Sequence, residues 1–479
     1  MDDSKDKSDF QLCLEEFRKS GVKPTIYPID QERITKIKLK VQEKINQIKI
    51  IARKQDCAIG VVGGFVRDLL LDKPSEDVDF VVFKGNINKL TESIAQKLNG
   101  KIGKMSNKTF TTQIRFPGHL VFEFNSTRKE RYEYPSRVPI VEAATIVEDL
   151  QRRDFTINAF LMFDDKYLDI FQGTQDLHNR LIRTTRNPDE VFREDYLRMF
   201  RAIRFACRLN FEISNETKKG IKLHVRNILD VPSERILIEL KQSFEYNPLM
   251  AFDLMVNLNI FETMFPQIIN SKLDLNQFQV KTTFDKIREE MKFLKSKNIA
   301  EIYPYLALFL KEIKIESKFN DTENSLLVEN KKTEAIRQIL VNYKFSNKEK
   351  DTILNYIHFT EILAKNSEQN MSDFKIRKFI RATYPKTENI FLIVEALQSI
   401  KNLKINYEKL EKRFANIGAN KDLIFFEPAL NGLEIADILK IEGEEVGEAK
   451  KSLYDAIMSE EIKNSKKECL LYLQKKYNR

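Results

Sequence analysis

Residues 61–82 read VVGGFVRDLLLDKPSEDVDFVV, and this stretch decides both the fold and the chemistry of the chain. Val61-Val62 ends a buried strand. Gly63 and Gly64 let the backbone turn sharply and approach a phosphate closely, and FVRDLLL opens a short helix. After Lys73-Pro74 the run Asp77-Val78-Asp79-Phe80-Val81-Val82 alternates and then turns apolar, as a strand entering a core does. Residues i and i+2 of a strand project to one face, so Asp77 and Asp79 are expected to point the same way. Two ionised carboxylates side by side repel each other unless a cation lies between them. A phosphate-receiving turn beside a metal-holding carboxylate pair is the apparatus of in-line phosphoryl or nucleotidyl transfer.

A lone Gly-Gly is usually only a turn, and a lone Asp-x-Asp on a strand is usually solvated. Their spacing within one strand-turn-helix-strand unit is what gives them weight. GGFVRD followed by EDVD resembles the signature of the bacterial CCA tRNA nucleotidyltransferase and poly(A) polymerase family, class II of the polymerase-β-like nucleotidyltransferases. Further motifs follow in that family's order. RRDFTINA spans residues 152–159, Gly173 precedes Asp176-Leu177 as a hinge, EDYLR spans 194–198, and Ser233-Glu234-Arg235-Ile236 leads to Glu239-Leu240. The tail, LNGLEIADILKIEGEEVGEAKKSLYDAI, is similar to the final domain of the tRNA-maturing members.

Composition is compatible with this without deciding it. The 479 residues carry 80 Lys and Arg against 71 Asp and Glu, a formal charge of +9, which suits a polyanionic partner. No run of about 18 apolar residues occurs, and MDDSKDKSD at the start is charged where a signal peptide is apolar, so a cytoplasmic protein with no membrane partner is expected. Cys13, Cys57, Cys207 and Cys469 are scattered without a C-x-x-C pair and read as reduced thiols.

The pattern changes along the chain predict an α+β architecture, a mixed-sheet head followed by a long helical neck, body and tail. Residues 1–30 read as a polar, loosely held extension. Residues 31–175 read as the head, with strand-like runs AIGVVGG, VDFVVF, TTQIRF, HLVFEFNS and FLMFDDKYLDIF and helices on one side of the sheet. Residues 176–250 form a neck carrying the nucleotide-selecting helix, 251–385 a helical body, and 386–479 an RNA-binding tail.

Glu123 lies on an alternating strand that can run beside Asp77 and Asp79, which makes it the third carboxylate of a two-metal site, with two Mg2+ ions expected. The charged run Arg128-Lys129-Glu130-Arg131-Tyr132-Glu133-Tyr134-Pro135 resembles the family's mobile loop, with a solvated hairpin as the alternative. Arg67 and Asp68, one turn into the first helix, can respectively meet a phosphate and brace the loop, and the resemblance implies triphosphate contact at Gly63, Gly64, Arg67 and Asp68. It also implies contact of Arg152, Arg153, Asp154 and Asn158 with the ribose and phosphates of the incoming nucleotide. Asp195 and Arg198 are three apart, so one face of a helix can present both. A carboxylate accepts from an exocyclic amino group and a guanidinium donates to a ring nitrogen or carbonyl, so the pair can read a base edge, and the resemblance implies selection of CTP and ATP. Arg201, Arg204 and Arg208 continue the basic flank, where they can meet nucleotide or RNA backbone or cap carboxylates of neighbouring helices.

Many bacterial members of the family carry a His-Asp phosphohydrolase domain in the helical region. The four histidines here, His119, His178, His224 and His358, all fall outside residues 282–313, and Lys311-Glu312 stands where a His-Asp pair would, so the body is expected to be a degenerate scaffold. The resulting expectation is a template-independent enzyme adding or repairing the 3′-terminal CCA of tRNA. The alternatives are a poly(A) polymerase, a CC-adding or A-adding enzyme, and a non-catalytic RNA-binding relative.

Overall fold

The computed structural model describes residues 7–106, 111–131, 140–265, 277–299, 301–312, 325–365, 371–384, 386–401 and 408–477. The chain divides into two compact units, Met1–Met264 and Phe265–Arg479.

The first unit is built on eight strands: β1 (Thr25–Pro28), β2 (Ala58–Val62), β3 (Val78–Lys84), β4 (Lys101–Ser106), β5 (Thr111–Arg115), β6 (Val121–Ser126) and, after a two-stranded ribbon of β7 (Arg128–Arg131) and β8 (Ile140–Ala143), β9 (Leu161–Phe163) and β10 (Lys166–Asp169). Their order in the sheet is β1-β10-β9-β2-β3-β6-β5-β4. Among the described residues of this sheet only β3 and β6 pair in parallel, so the sheet is mixed, as the strand-like runs predict. A parallel pair needs a crossover, and the helix Ile87–Lys97, with Leu90 and Ile94 fully buried, lies within it.

All five residues of β2 are buried. Because successive side chains alternate faces, both sides of the sheet are covered at its centre, not one side as expected. Phe80 of β3 stacks on Phe124 of β6 with centroids 5.0 Å apart, so the strands that carry the carboxylates are held rigidly together.

The N-terminal residues differ from the expected loose extension. Ser8 closes a capping box with Gln11 at the start of the helix Asp9–Ser20, and Gly21, at φ 72°, ends it. Cys13 and Phe17 of this helix are buried in one cluster with Val62, Val81, Leu150 and Leu161. The chain then adds β1 to the sheet, where Tyr27 stacks on Tyr167 at 5.2 Å. The segment is polar on average only because its apolar residues Phe10, Cys13, Leu14 and Phe17 form a helical stripe.

Beyond Asp176 this unit is largely helical. Pro188–Glu194, Leu197–Leu209, Asn215–His224, Ser233–Tyr246, Pro248–Asn257 and Ile260–Met264 follow one another. Phe252 packs on Phe261, and both are buried, so residues 251–264 belong with the neck and not with the body. The single helix expected to carry both Asp195 and Arg198 is interrupted, one helix ending at Glu194. Asp195 is extended, at φ −151° and ψ 107°, and a new helix starts at Leu197.

The second unit, among the described residues, is helical throughout, from Gln277–Ser296 to Lys466–Lys476. Its last three helices enclose a core of Leu430, Ile435, Leu439, Ala449, Leu453, Ile457, Cys469 and Leu473. Lys311 and Glu312 form an ionic cluster with the fully buried Glu290, Lys311 Nζ lying 3.0 Å from Glu290 and 2.8 Å from Glu312. The four cysteines are buried and form no disulfide, and among the described residues no helix is long and apolar enough to cross a membrane.

Candidate active site

Gly63 sits at φ 77°, ψ −136°, directly before the buried helix Gly64–Leu70. That backbone conformation is strained for any residue with a Cβ, and a Cβ there would also lie 3.3 Å from Arg153 Nη1 and 3.5 Å from Asp79 Oδ2. The turn therefore holds the backbone against both a guanidinium and a carboxylate.

The β3–β6 register sets Asp79 directly beside Glu123. Burial, and then the charge of Glu123, push the Asp79 carboxyl up to about 6, with Arg153 opposing and Asp77 adding to the rise. Asp77 lies one residue ahead of β3 and is exposed. Among the described residues no group of three or more His, Cys, Asp or Glu side chains is gathered to hold a metal ion. The donor set nevertheless fits a divalent cation. Asp79 and Glu123 are all-oxygen ligands of one sign, and the charge each feels from the other is what a hard cation would neutralise.

Asp79 and Glu123 open into a cleft of about 500 Å³, which is also lined by Gly63, Gly64, Asp154, Asn158, Asp195 and nine arginines. Four carboxylates among nine guanidinium groups leave a strongly positive enclosure suited to a polyphosphate. The arginines are ordered mainly by carboxylates. Fully buried Asp149 takes Arg152 at 2.7 Å and Arg153 at 3.1 Å, and these two cations hold its carboxyl below the usual range against the effect of burial. Arg153 Nε is buried with no hydrogen-bond partner. Asp154 accepts from Arg201 at 2.6 Å and from Asn158 Nδ2 at 3.1 Å. Burial would raise its carboxyl, but these partners bring it to about 2.

Three expected contacts are braces in this geometry. Arg67 is 1% exposed, pairs with Asp68 at 2.7 Å and donates to Asn158 Oδ1 at 2.6 Å. Asp68 does not line the cleft; Arg208 holds it from the other side at 2.9 Å. Arg204 pairs with Glu239 at 2.5 Å and lies 4.2 Å over the Phe205 ring. A guanidinium committed to a buried carboxylate orients its neighbours more than it neutralises a ligand.

Asp195 and Arg198 both line the cleft but are not presented by one helix face. Asp195 Oδ1 accepts from the Leu197 N–H at 3.0 Å, and Oδ2 accepts from Arg235 at 2.9 Å. Arg198 donates to Glu194 at 2.6 Å, to the Val191 carbonyl at 3.1 Å and to the Arg152 carbonyl at 2.8 Å.

Arg128 of the expected loop and Arg208 of the expected basic flank line the cleft; Asn125, Phe205 and Arg235 also line it, and Asp149 organises it from behind, though the sequence pattern assigns none of these four to the site. Helical spacing ties Arg208 to Arg201 and Arg204, which it follows by seven and four residues. Asp149 carries no such signal. Of the expected loop, Arg128–Arg131 pair with Ile140–Ala143, and Tyr132, Glu133, Tyr134 and Pro135 lie outside the described residues.

Three family models match this sequence: a poly A polymerase head domain over residues 59–183, a probable RNA and SrmB-binding site of polymerase A over 210–271, and a putative domain 2 of tRNA nucleotidyltransferases over 324–473. By these matches residues 59–183 are a poly A polymerase head domain and residues 324–473 resemble a tRNA nucleotidyltransferase domain. The chain is 39% identical over 188 residues to an A-adding tRNA nucleotidyltransferase of Aquifex aeolicus, a match covering 38% of this chain and 22% of the relative. It is 36% identical over 192 residues to a CCA-adding enzyme of Pediococcus pentosaceus, covering 38% of this chain and 45% of the relative. The chain thus spans less than half the length of these curated relatives. The fold is that of a Thermotoga maritima CCA-adding enzyme solved with tRNA, at a TM-score of 0.60 and 22% identity, over 94% of this chain and 99% of the other.

Proposed function

We propose that this protein adds or repairs the 3′-terminal CCA of tRNA, using CTP and ATP and releasing pyrophosphate. One observation carries the reading. A single cleft holds an acidic pair on adjacent strands, a cluster of arginines for a triphosphate, and the Asp195 and Arg198 side chains within reach of a base.

Asp79 and Glu123, with Asp77 at the mouth of the strand, would hold two Mg2+ ions, which when bound acidify the attacking 3′-hydroxyl and neutralise the leaving pyrophosphate. Arg152 and Arg153 bind the triphosphate, and the Nε of Arg153 is a buried donor that no acceptor among the described residues takes. The Gly63 backbone admits the phosphates close to Asp79. Asp195 accepts from the exocyclic amino group that cytosine and adenine share, and Arg198 donates to the adjacent ring nitrogen, so uracil and guanine present the wrong edge.

An A-adding enzyme is the second reading, favoured by the 39% identity to such a protein of Aquifex aeolicus. Poly(A) polymerase keeps the same chemistry on other RNA ends. Transcribed tRNAs ending before CCA, after C and after CC, each given single labelled nucleotides with magnesium, separate the three. Ordered C, C, A addition that then stops supports the proposal. Extension only of tRNA ending in CC supports A-adding, and long A tails on unrelated RNA support poly(A) synthesis.

A further inference from the structure

Asn125 lies two residues after Glu123 on β6, so the two side chains share a face of the strand. Asn125 Nδ2 donates to Glu123 Oε1 at 3.0 Å. Its Oδ1 accepts from Thr111 Oγ1 at 2.7 Å, across the β5–β6 pair, and from Arg128 Nη1 at 3.3 Å, while Arg128 Nη1 also donates to Thr111 Oγ1 at 2.9 Å.

The polarity of this amide is fixed by its neighbours. A guanidinium can only donate, so the amide oxygen must face Arg128. A carboxylate can only accept, so the amide nitrogen must face Glu123. Asn125 is therefore held at one end by a cation and a hydroxyl and holds Glu123 at the other. The bond occupies Oε1 and leaves Oε2 with no hydrogen-bond partner among the described residues. It also sets a partial positive charge beside a carboxylate that would otherwise swing away from the like charge of Asp79.

We infer that Asn125 is a positioning residue that fixes Glu123 for metal binding, an inference that rests on the proposed reading of Glu123 as a metal ligand. Partners that orient a ligating carboxylate act on metal affinity more than on the chemical step, because the metal itself, once bound, is unchanged. Asn125 also lines the cleft, so a direct contact with nucleotide is the competing role, and metal binding without nucleotide tells the two apart.

The test is titration of the full-length protein with Mn2+ alone, followed by the paramagnetic resonance signal of free Mn2+, for Asn125→Ala, Asn125→Leu and Glu123→Gln. The dependence of the rate on Mn2+ is then measured with tRNA, CTP and ATP. Each Asn125 variant should bind Mn2+ about tenfold more weakly and need correspondingly more Mn2+ for half-maximal rate. The rate at saturating Mn2+ and the thermal midpoint of the metal-free protein should stay near wild type. Wild-type Mn2+ affinity in both Asn125 variants, with Glu123→Gln weakened, overturns the role of Asn125 alone. Unchanged affinity in Glu123→Gln shows instead that Glu123 is no ligand, and the inference falls with it. If both Asn125 variants lose Mn2+ affinity and thermal midpoint together, Asn125 is a folding residue and the inference is also overturned.

Discussion

Asp195 and Arg198 line one cleft three residues apart and are anchored by different partners, Asp195 by Arg235 and the Leu197 N–H, Arg198 by Glu194 and two backbone carbonyls. Replacing them by alanine should therefore give two distinguishable phenotypes. Asp195→Ala releases an arginine side chain that is already 46% exposed, so stability should change little. Base preference should change about five- to hundredfold, the loss of one hydrogen bond in a discriminating pocket, with UTP or GTP admitted detectably. Arg198 is 7% exposed, and Arg198→Ala removes the donor to the carbonyls of Val191 and Arg152 and leaves Glu194 with Arg186 alone, so it should both relax selection and lower the thermal midpoint by several degrees. Unchanged nucleotide preference in both variants, on tRNA ending before CCA, would leave base selection to other residues.

Asp79 and Asp77 should behave alike in chemistry despite their different burial. Asp79→Ala or Asp77→Ala removes a ligand from a site where charge neutralisation supplies most of the acceleration, so the rate of nucleotide addition should fall at least about 10³-fold. RNA binding, driven by phosphate contacts to basic residues, should persist in a filter or gel-shift measurement. Extension at close to the wild-type rate in either variant would remove that aspartate from the metal site.

Gly173 offers a test of the joint between head and neck. A Cβ there would lie 2.5 Å from the Thr156 carbonyl oxygen, a backbone atom that cannot rotate away, and the Gly173 N–H donates to Asp169 at 3.0 Å. Gly173→Ala should destabilise the protein by about 1–3 kcal/mol through overpacking, read as a drop in thermal midpoint. A wild-type midpoint would mean that the backbone moves freely at this joint.

The second unit should lack phosphohydrolase activity. Where a histidine would ligate metal, Lys311 is bound between Glu290 and Glu312, and a bound ammonium group repels a cation. Purified protein should not hydrolyse 2′,3′-cyclic phosphates or phosphomonoesters with nickel, manganese or magnesium. Hydrolysis that follows the chain through purification would show metal binding elsewhere.

The parts of this architecture that repeat over short distances are legible in the sequence. The glycine turn, Asp79 on its strand and the strand that brings Glu123 beside it follow from period-two alternation and backbone freedom. Long-range pairing is not legible. The partnerships of Asp68 with Arg208, Asp195 with Arg235, and Arg204 with Glu239 join residues 140, 40 and 35 positions apart, and nothing local specifies them. Asp195 reads as helical from sequence because a break of two residues does not disturb the surrounding apolar period. The N-terminal helix escapes notice for the opposite reason, its five apolar residues being diluted by charge in any average over residues 1–30.

That helix supplies the last test, through Asp9, which is 8% exposed. Burial raises its carboxyl to about 6, against the pull of Arg53 and Lys49, whereas in the unfolded chain it titrates near 3.8. Between these values the folded protein holds a proton that the unfolded chain has released. The contribution is therefore fully present below about pH 4 and is lost as pH rises through about 6. A carboxyl carried from 3.8 to about 6 on folding changes stability by at most about 3 kcal/mol. Asp9→Asn keeps the shape of the side chain and removes the titration. The variant should match wild type at pH 4 and exceed it by about 1–3 kcal/mol at pH 7.5, with a thermal midpoint that varies less over the interval. A variant less stable than wild type at pH 7.5 would mean that the attraction of Asp9 to Arg53 and Lys49 outweighs its desolvation. A variant indistinguishable at both pH values would mean that the helix Asp9–Ser20 is not docked on the sheet in solution.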